Sequence, residues 1–401
     1  MIAPAPRRML TQDHWLLPEG IEEIFPDEAE SLDRLGRGLI DRFSSWGYRL
    51  VMPPMIDFLD SLLVGTGHEL DLQTFKLTDP VSGRLIGLRA DMTPQVARID
   101  ARSADSGLPS RLCYVGSVLH ALPGHLEKSR NPLQVGAELY GYAGESAAIE
   151  VIRLMLETMD LAGVREPHLD LGHVSVYREL ACQAGLTATQ EAELFDILQR
   201  KDISDLDDFL LATGASDSVK AMISALLDLN GPSGVIAAAR IRLAAGGAVI
   251  ARALDELEII ADRLQERFPS LPLNLDLAEL RGYHYHTGVV FAAFVPGQGR
   301  EIARGGRYDD IGRVFGHARP AVGFSADLKM LVRVSEHEGQ AAPSNRIFAP
   351  AIDDPQLDHT IRSLRRQGQV VIQALGSTEE SAKALGCNQA LQKRDNHWQI
   401  V

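Results

Sequence analysis

Two polar residues, Gln134 and Glu138, interrupt the apolar run Leu133 to Tyr140. They are four positions apart, so on a strand they share one face. With Asp91 and Thr93 they form a set of acceptors suited to the α-ammonium group of an amino acid. Arg281 opens the stretch Arg281-Gly282-Tyr283-His284-Tyr285-His286-Thr287-Gly288 and is suited to a carboxylate or carbonyl. His284 and His286 are two apart, so a strand would place them on one face, opposite Tyr285. Either serves equally well as an ordinary core or surface histidine and as a ligand contact. The whole polar set also fits a simpler reading, in which buried groups satisfy one another.

Common catalytic signatures are absent. There is no GxxxxGK[ST] loop, no GxGxxG after a strand, no HExxH and no GxSxG. The small-residue run Leu243 to Gly247 follows a predicted helix, so packing or a helix break explains it better than a phosphate loop. Cys113, Cys182 and Cys387 lack metal-ligand spacing and read as small buried apolar residues. No catalytic residue, metal or cofactor is expected.

The elements that must carry these residues follow from periodicity. Pro26-Asp27-Glu28 opens a helix with apolar positions Leu32, Leu35, Leu39, Ile40 and Phe43, ended by Gly47. Tyr48 to Met52 reads as a strand stopped by Pro53-Pro54. Thr74 to Thr78 and Leu85 to Arg89 read as hairpin arms, and Thr93-Pro94 opens a helix. Leu112 to Val118 and Leu133 to Tyr140 are a further strand pair, Ala147 to Met159 a helix, and Val174 to Tyr177 a strand end. Residues 178–266 are rich in Ala, Leu, Glu and Asp and read as an inserted helical subdomain. Strands return at Leu273 to Asp276, Val289 to Phe294 and Arg300 to Ala303, then a strand and helix over Pro320 to Val334. This predicts an α+β core over 1–335 with an open antiparallel sheet and flanking helices. A linker at 336–344 and a small C-terminal α/β unit at 345–401 complete the chain. That unit reads as strand, helix (Gln356 to Gln367), strand (Val370 to Ala374), helix (Ser377 to Leu385) and strand end.

Composition narrows the classes. The 401 residues carry a formal charge of -14, from 40 basic and 54 acidic residues. An acidic chain argues weakly against nucleic-acid binding, which depends on neutralised phosphates. No apolar run approaches a membrane span, and the N-terminus lacks the apolar core of a secretory signal. A reducing cytoplasm is the expected location.

The residues above resemble those of histidyl-tRNA synthetase, a class II aminoacyl-tRNA synthetase, over roughly the first four-fifths of the chain. The match falls on Arg89, Asp91 and Thr93, on Gln134 and Glu138, on Arg281, Gly282 and Tyr285, and on Gly305 to Asp309. In that family the first three of these segments line the histidine pocket, and Pro54 fits the proline of the dimer interface. His120 and Met330 stand where the family has two arginines that clamp ATP phosphates, and Leu122 replaces a glutamate that helps hold adenine and metal. A neutral imidazole and a thioether cannot make forked, charge-assisted phosphate contacts. Asp91 is one methylene shorter than the family's Glu, and His284 and His286 replace Asp and Tyr.

A second family fits over the whole length. Leu16 to Phe25, Gln73 to Lys76, Leu88 to Arg98 and the short C-terminal unit resemble the ATP phosphoribosyltransferase regulatory subunits. These are non-catalytic paralogues of histidyl-tRNA synthetase. The resemblance implies a homodimer through the class II interface and a hetero-oligomer with the short-form catalytic subunit. It also implies feedback by L-histidine on the first step of histidine biosynthesis, with Asp91, Thr93, Gln134, Glu138, Arg281 and Tyr285 as the effector site. No tRNA or membrane partner is expected. The alternative is a divergent amino-acid-activating ligase, which requires ATP to bind. A third reading, a tRNA-binding remnant, needs a basic face that the composition does not favour.

Overall fold

The computed structural model describes residues 16–63, 68–103, 108–123, 129–279, 286–313, 316, 318–335, 345–376 and 381–401. The chain forms two compact units, Met1–Glu336 and His337–Val401. The expected linker at 336–344 lies outside the described residues.

In chain order the first unit holds β1 (Arg49–Leu50), β2 (Ile56–Phe58), β3 (Phe75–Thr78), β4 (Leu85–Leu88), β5 (Ser110–Ser117) and β6 (Leu133–Tyr140). Then come β7 (His168–His173), β8 (Asn230–Gly231), β9 (Leu273–Asp276), β10 (Val289–Phe294), β11 (Ala303–Arg307) and β12 (Ala321–Asp327). Nine of these form one sheet in the order β1-β5-β6-β12-β11-β10-β7-β9-β8. Its centre is antiparallel; β1 on β5 and β7 on β9 are parallel. A second sheet is β2-β4-β3. This is the fold of class II synthetases: an α+β unit with an antiparallel sheet and flanking helices.

The pleat of β6 divides the interior. Val135, Ala137 and Leu139 enter the large core, which also holds Leu39 and Phe43 of the helix Pro26–Ser45 and Ile152 and Leu154 of the helix Glu145–Leu161. Pro26 pre-sets the first of these helices, and Gly47 ends it at φ 85°, a left-handed backbone that glycine adopts without strain. The even-numbered residues of β6 face the other way. There Tyr140, with Tyr114 and Leu112 of β5, packs under Met92, Val96 and Ala97 at the start of the helix Thr93–Ser103.

Several elements differ from expectation. Of Tyr48 to Met52 only Arg49–Leu50 is strand, because Pro53-Pro54 follows closely. Val174 to Tyr177 begins a helix, Val174–Gln183, whose cap is His173: its Nδ1 accepts the Ser175 N–H at 3.3 Å. The alternation of valines there mimicked a strand, but Val174, Val176 and Tyr177 are all fully buried. Helix thus runs from Val174 to Arg267 with interruptions, including the short strand β8. The strand placed at Arg300 to Ala303 is shifted to Ala303–Arg307 and contains Gly305 and Gly306. Cys182 is exposed, so the buried-thiol reading fails for it; Cys113 is buried, and burial pushes its thiol up to about 12.

The second unit holds β13 (Arg346–Ala349), the helix Pro355–Arg366, β14 (Val370–Gln373), β15 (Gln389–Arg394) and β16 (His397–Ile400). Its sheet order is β14-β13-β15-β16. The helix expected over Ser377 to Leu385 is not formed in its described part, where residues 382–386 are a turn.

Candidate functional site

Glu138 is the centre of the arrangement and is 1% exposed. Its Oε1 accepts hydrogen bonds from the Tyr114 hydroxyl at 3.0 Å and the Thr93 hydroxyl at 3.2 Å. Its Oε2 accepts one from Tyr308. Burial pushes the Glu138 carboxyl up to about 8, against the pull of these hydroxyls. The Tyr114 and Tyr308 phenols are in turn pushed well above their ordinary range, mainly by burial and then by the Glu138 charge.

Asp91 and Gln134 lie beside this centre and are tied to the helix start. Asp91 Oδ1 accepts the Thr93 N–H at 3.0 Å and the Gln134 side-chain amide at 2.8 Å. Gln134 Oε1 accepts the Met92 N–H at 2.9 Å. These two acceptors therefore satisfy donors at the start of the helix Thr93–Ser103. Of the expected site residues, Asp91, Thr93, Gln134 and Glu138 are brought into one hydrogen-bonded cluster. Arg281 and Tyr285 lie outside the described residues, as does His284. His286 is 5% exposed, beside Gly306, and its ring centroid is 6.5 Å from that of Tyr308. Arg89 turns away from the cluster: its guanidinium donates to the carbonyls of Pro53 at 2.6 Å and Ser117 at 2.9 Å.

Tyr114 and Gly323 escaped the sequence reading, and Tyr308, within the matched segment Gly305 to Asp309, had no role assigned to it. Gly323 pairs with Glu138 across β12 and β6, and a Cβ there would coincide with the Glu138 carboxylate. The glycine is required because the glutamate lies flat over that strand. Sequence offered one usable signal, since Tyr308 follows the Gly305-Gly306-Arg307 run already singled out.

The other end of the site has a different character. His120 Nε2 is 3.1 Å from the Ala90 carbonyl, and Met330 packs against the large core. The cations nearby are committed elsewhere. Lys329, 2% exposed, donates to Glu22 at 3.1 Å and to the Asn131 carbonyl at 2.7 Å. Arg333 donates to the other Glu22 oxygen at 2.8 Å. Arg130 donates to the carbonyls of His120 and Glu19 at 3.0 and 3.1 Å. Glu22 thus neutralises the charge of both Lys329 and Arg333.

Burial alone would raise the Glu22 pKa, but hydrogen bonds from Arg333 and Lys329 outweigh it and hold it below the usual range. Its folded pKa is depressed, so its contribution is present above the unfolded value near 4.5 and fades as pH falls below that. Glu22→Ala leaves the buried Lys329 ammonium without a counter-charge. Such a break costs about 3–5 kcal/mol when both partners are buried; partial exposure of Glu22 reduces this to about 1–3 kcal/mol. Urea unfolding at pH 7 should show that loss, and the gap to wild type should shrink toward pH 3. An equal gap at both pH values would contradict the ion-pair account.

Residues 20–331 match the family model for histidyl-tRNA synthetase, and residues 344–401 match that for the ATP phosphoribosyltransferase subunit HisZ C-terminal domain. The ATP phosphoribosyltransferase regulatory subunit of Methylococcus capsulatus is 56% identical over 387 residues, covering 96% of this chain and 95% of the relative. That of Thioalkalivibrio sulfidiphilus is 55% identical over 394 residues, covering 98% and 100%. Among solved structures, an ATP phosphoribosyltransferase regulatory subunit/histidyl-tRNA synthetase from Bacillus halodurans superposes with a TM-score of 0.80 at 26% identity, over 94% of this chain and 97% of that one.

Proposed function

The chain belongs to the family of ATP phosphoribosyltransferase regulatory subunits, and from that premise we propose how its site serves the role. It is a non-catalytic subunit that assembles with the catalytic subunit of ATP phosphoribosyltransferase. In this reading it is required for the first step of histidine biosynthesis, in the cytoplasm, and carries the feedback by histidine. The effector is L-histidine, bound through Asp91, Thr93, Gln134, Glu138, Arg281 and Tyr285. The observation that carries this reading is the asymmetry of the site. The acceptors for an ammonium group are gathered around Glu138, whereas Lys329 and Arg333 are held by Glu22. A site so arranged favours an amino acid over a nucleotide.

Two protomers pair in this reading through the edge that β1 leaves open. Leu50, Met52, Met55 and Ile56 are exposed there in the single chain, Met52 by 81%. Such a run of apolar side chains beside a strand edge that no other described strand pairs suits an interface between copies. Met52→Glu with Ile56→Asp should convert the dimer to monomer in light scattering. An unchanged mass would place the interface elsewhere.

The function itself is tested by mixing. The purified chain should restore phosphoribosyl-ATP formation to a short-form catalytic subunit that is inactive alone, and L-histidine should suppress the restored activity. Alone it should give no histidine-dependent ATP–pyrophosphate exchange. Exchange above background, or no restoration, would overturn the reading.

A further inference from the structure

His173 is the last residue of β7 and is buried. By the strand period it shares a face with Leu169 and Leu171, which enter the large core, and so lies on the opposite side of the sheet from Glu138. Its two ring nitrogens have different partners, one at each end of the helical insertion. Nδ1 accepts the Ser175 N–H at 3.3 Å and caps the helix Val174–Gln183, where the chain leaves the sheet. Nε2 is 3.3 Å from Oε2 of Glu256, on the helix Gly247–Arg267 that leads back to β9. A nitrogen that accepts carries no proton, so the ring that makes both contacts is the neutral tautomer with its hydrogen on Nε2.

Among the described residues the charged groups around this ring are Glu256, Arg307 at the end of β11 and Asp309 beyond it; β10 places Val289 opposite His173. Arg307 Nε is 3.7 Å from the other Glu256 oxygen, and its terminal nitrogens reach the Gly144 carbonyl at 3.0 Å and Asp309 at 3.5 Å. Burial alone would raise the Glu256 carboxyl, but His173 and Arg307 outweigh it and hold it below its ordinary range. Glu256 is therefore an anion throughout the range in which a histidine takes up a proton. Two demands meet in one ring. The carboxylate favours a second proton, whereas the cap forbids it: a protonated Nδ1 has no lone pair for the Ser175 N–H and turns a donor toward a donor.

We propose that His173 is a proton-operated clasp on the helical insertion. Neutral, it holds the first helix of the insertion by its cap and the last by Glu256; protonated, it keeps the last and releases the first. The step needs only a proton from solvent, which adds to Nδ1 as the bond from the Ser175 N–H breaks and an imidazolium–carboxylate pair forms.

The test is hydrogen exchange of the full-length chain read by mass spectrometry, with each rate divided by the intrinsic rate at that pH. Protection of the first turn after His173 should fall roughly 5-fold from pH 8 to pH 5, the loss expected for one helix cap. Protection of the helix Gly247–Arg267 around Glu256 should hold. His173→Asn puts an acceptor that does not titrate near the Nδ1 position, and should keep the first turn protected at both values. His173→Gln has no acceptor where the cap needs one, and should leave that turn unprotected at both. Glu256→Gln removes the charge that favours the imidazolium, so the midpoint of the change should move to lower pH; this variant serves if the histidine variants do not fold. Equal protection at pH 8 and pH 5 in the wild type, or a fall shared by the helix Gly247–Arg267, overturns the proposal. So does a pH response that persists in His173→Asn or keeps its midpoint in Glu256→Gln.

Discussion

Replacing Glu138 with Gln is expected to stabilise the unliganded protein at neutral pH while weakening its response to histidine. The folded chain holds a proton on Glu138 up to about pH 8, whereas an unfolded glutamate gives it up near 4.5. Between those values the folded state binds more protons, so stability falls as pH rises. One pKa unit corresponds to about 1.4 kcal/mol, so by pH 7 the loss from this group is on the order of 3 kcal/mol. It levels off above pH 8. A glutamine keeps the shape, stays neutral, and can exchange hydrogen bonds with hydroxyls that rotate to suit it. Urea unfolding at pH 5 and pH 8 isolates the effect as the difference between variant and wild type, which should widen toward pH 8. The same substitution removes the charge that pairs with an ammonium group, worth about 1.5–3 kcal/mol as a charge-assisted hydrogen bond. Histidine inhibition of the assembled complex should weaken by about 10–100-fold. A variant that tracks wild type at both pH values would show that Glu138 is ionised in the empty protein.

The legible part of this site is the part with local causes. Gln134 and Glu138 could be placed on one face because a strand has a period of two, and β6 spans Leu133–Tyr140. The helix beginning at Thr93-Pro94 was announced by its proline. Asp91 was read as a ligand acceptor although its position, two before Thr93 at a helix start, also fits a capping residue, and the Thr93 N–H indeed bonds to it. The hydroxyl shell had no such cause. Tyr114 is 24 residues from Glu138 and Tyr308 is 170 residues away, and only the order of strands brings them together. The strand expected at Arg300 to Ala303 lies instead at Ala303–Arg307, across Gly305 and Gly306. Here the neighbours leave no room for anything else: a Cβ on Gly306 would lie 2.8 Å from the His286 ring. The salt bridges of Glu22 are equally non-local, spanning 307 residues to Lys329 and 311 to Arg333. That Glu22 neutralises both cations could not be read from local sequence.

Gly323→Ala should be among the most damaging single-methyl changes in the chain. Gly323 is the residue of β12 that lies opposite Glu138 on β6 and opposite Gly306 on β11. The new methyl would occupy the position of the carboxylate and approach the Ala137 carbonyl at 3.0 Å. Two responses are open. The strands separate, at the cost of overpacking a tight interior, about 1–3 kcal/mol. Alternatively, Glu138 swings away and leaves buried tyrosine hydroxyls unpaired, for roughly 1–3 kcal/mol. By either route a loss of about 1–3 kcal/mol in urea unfolding is expected, together with loss of histidine inhibition. Gly299→Ala is the control: no heavy atom lies within 4 Å of its Cβ position, and it should change stability by less than about 0.5 kcal/mol. The clash also predicts non-additivity, because residues in contact share the strain. Truncating the glutamate makes room for the methyl, so Glu138→Ala with Gly323→Ala should be more stable than the sum of the two single changes by at least about 1 kcal/mol. Simple additivity would mean that the methyl strains the backbone pairing alone, and that the close fit of Gly323 beneath Glu138 plays no part in holding the site together.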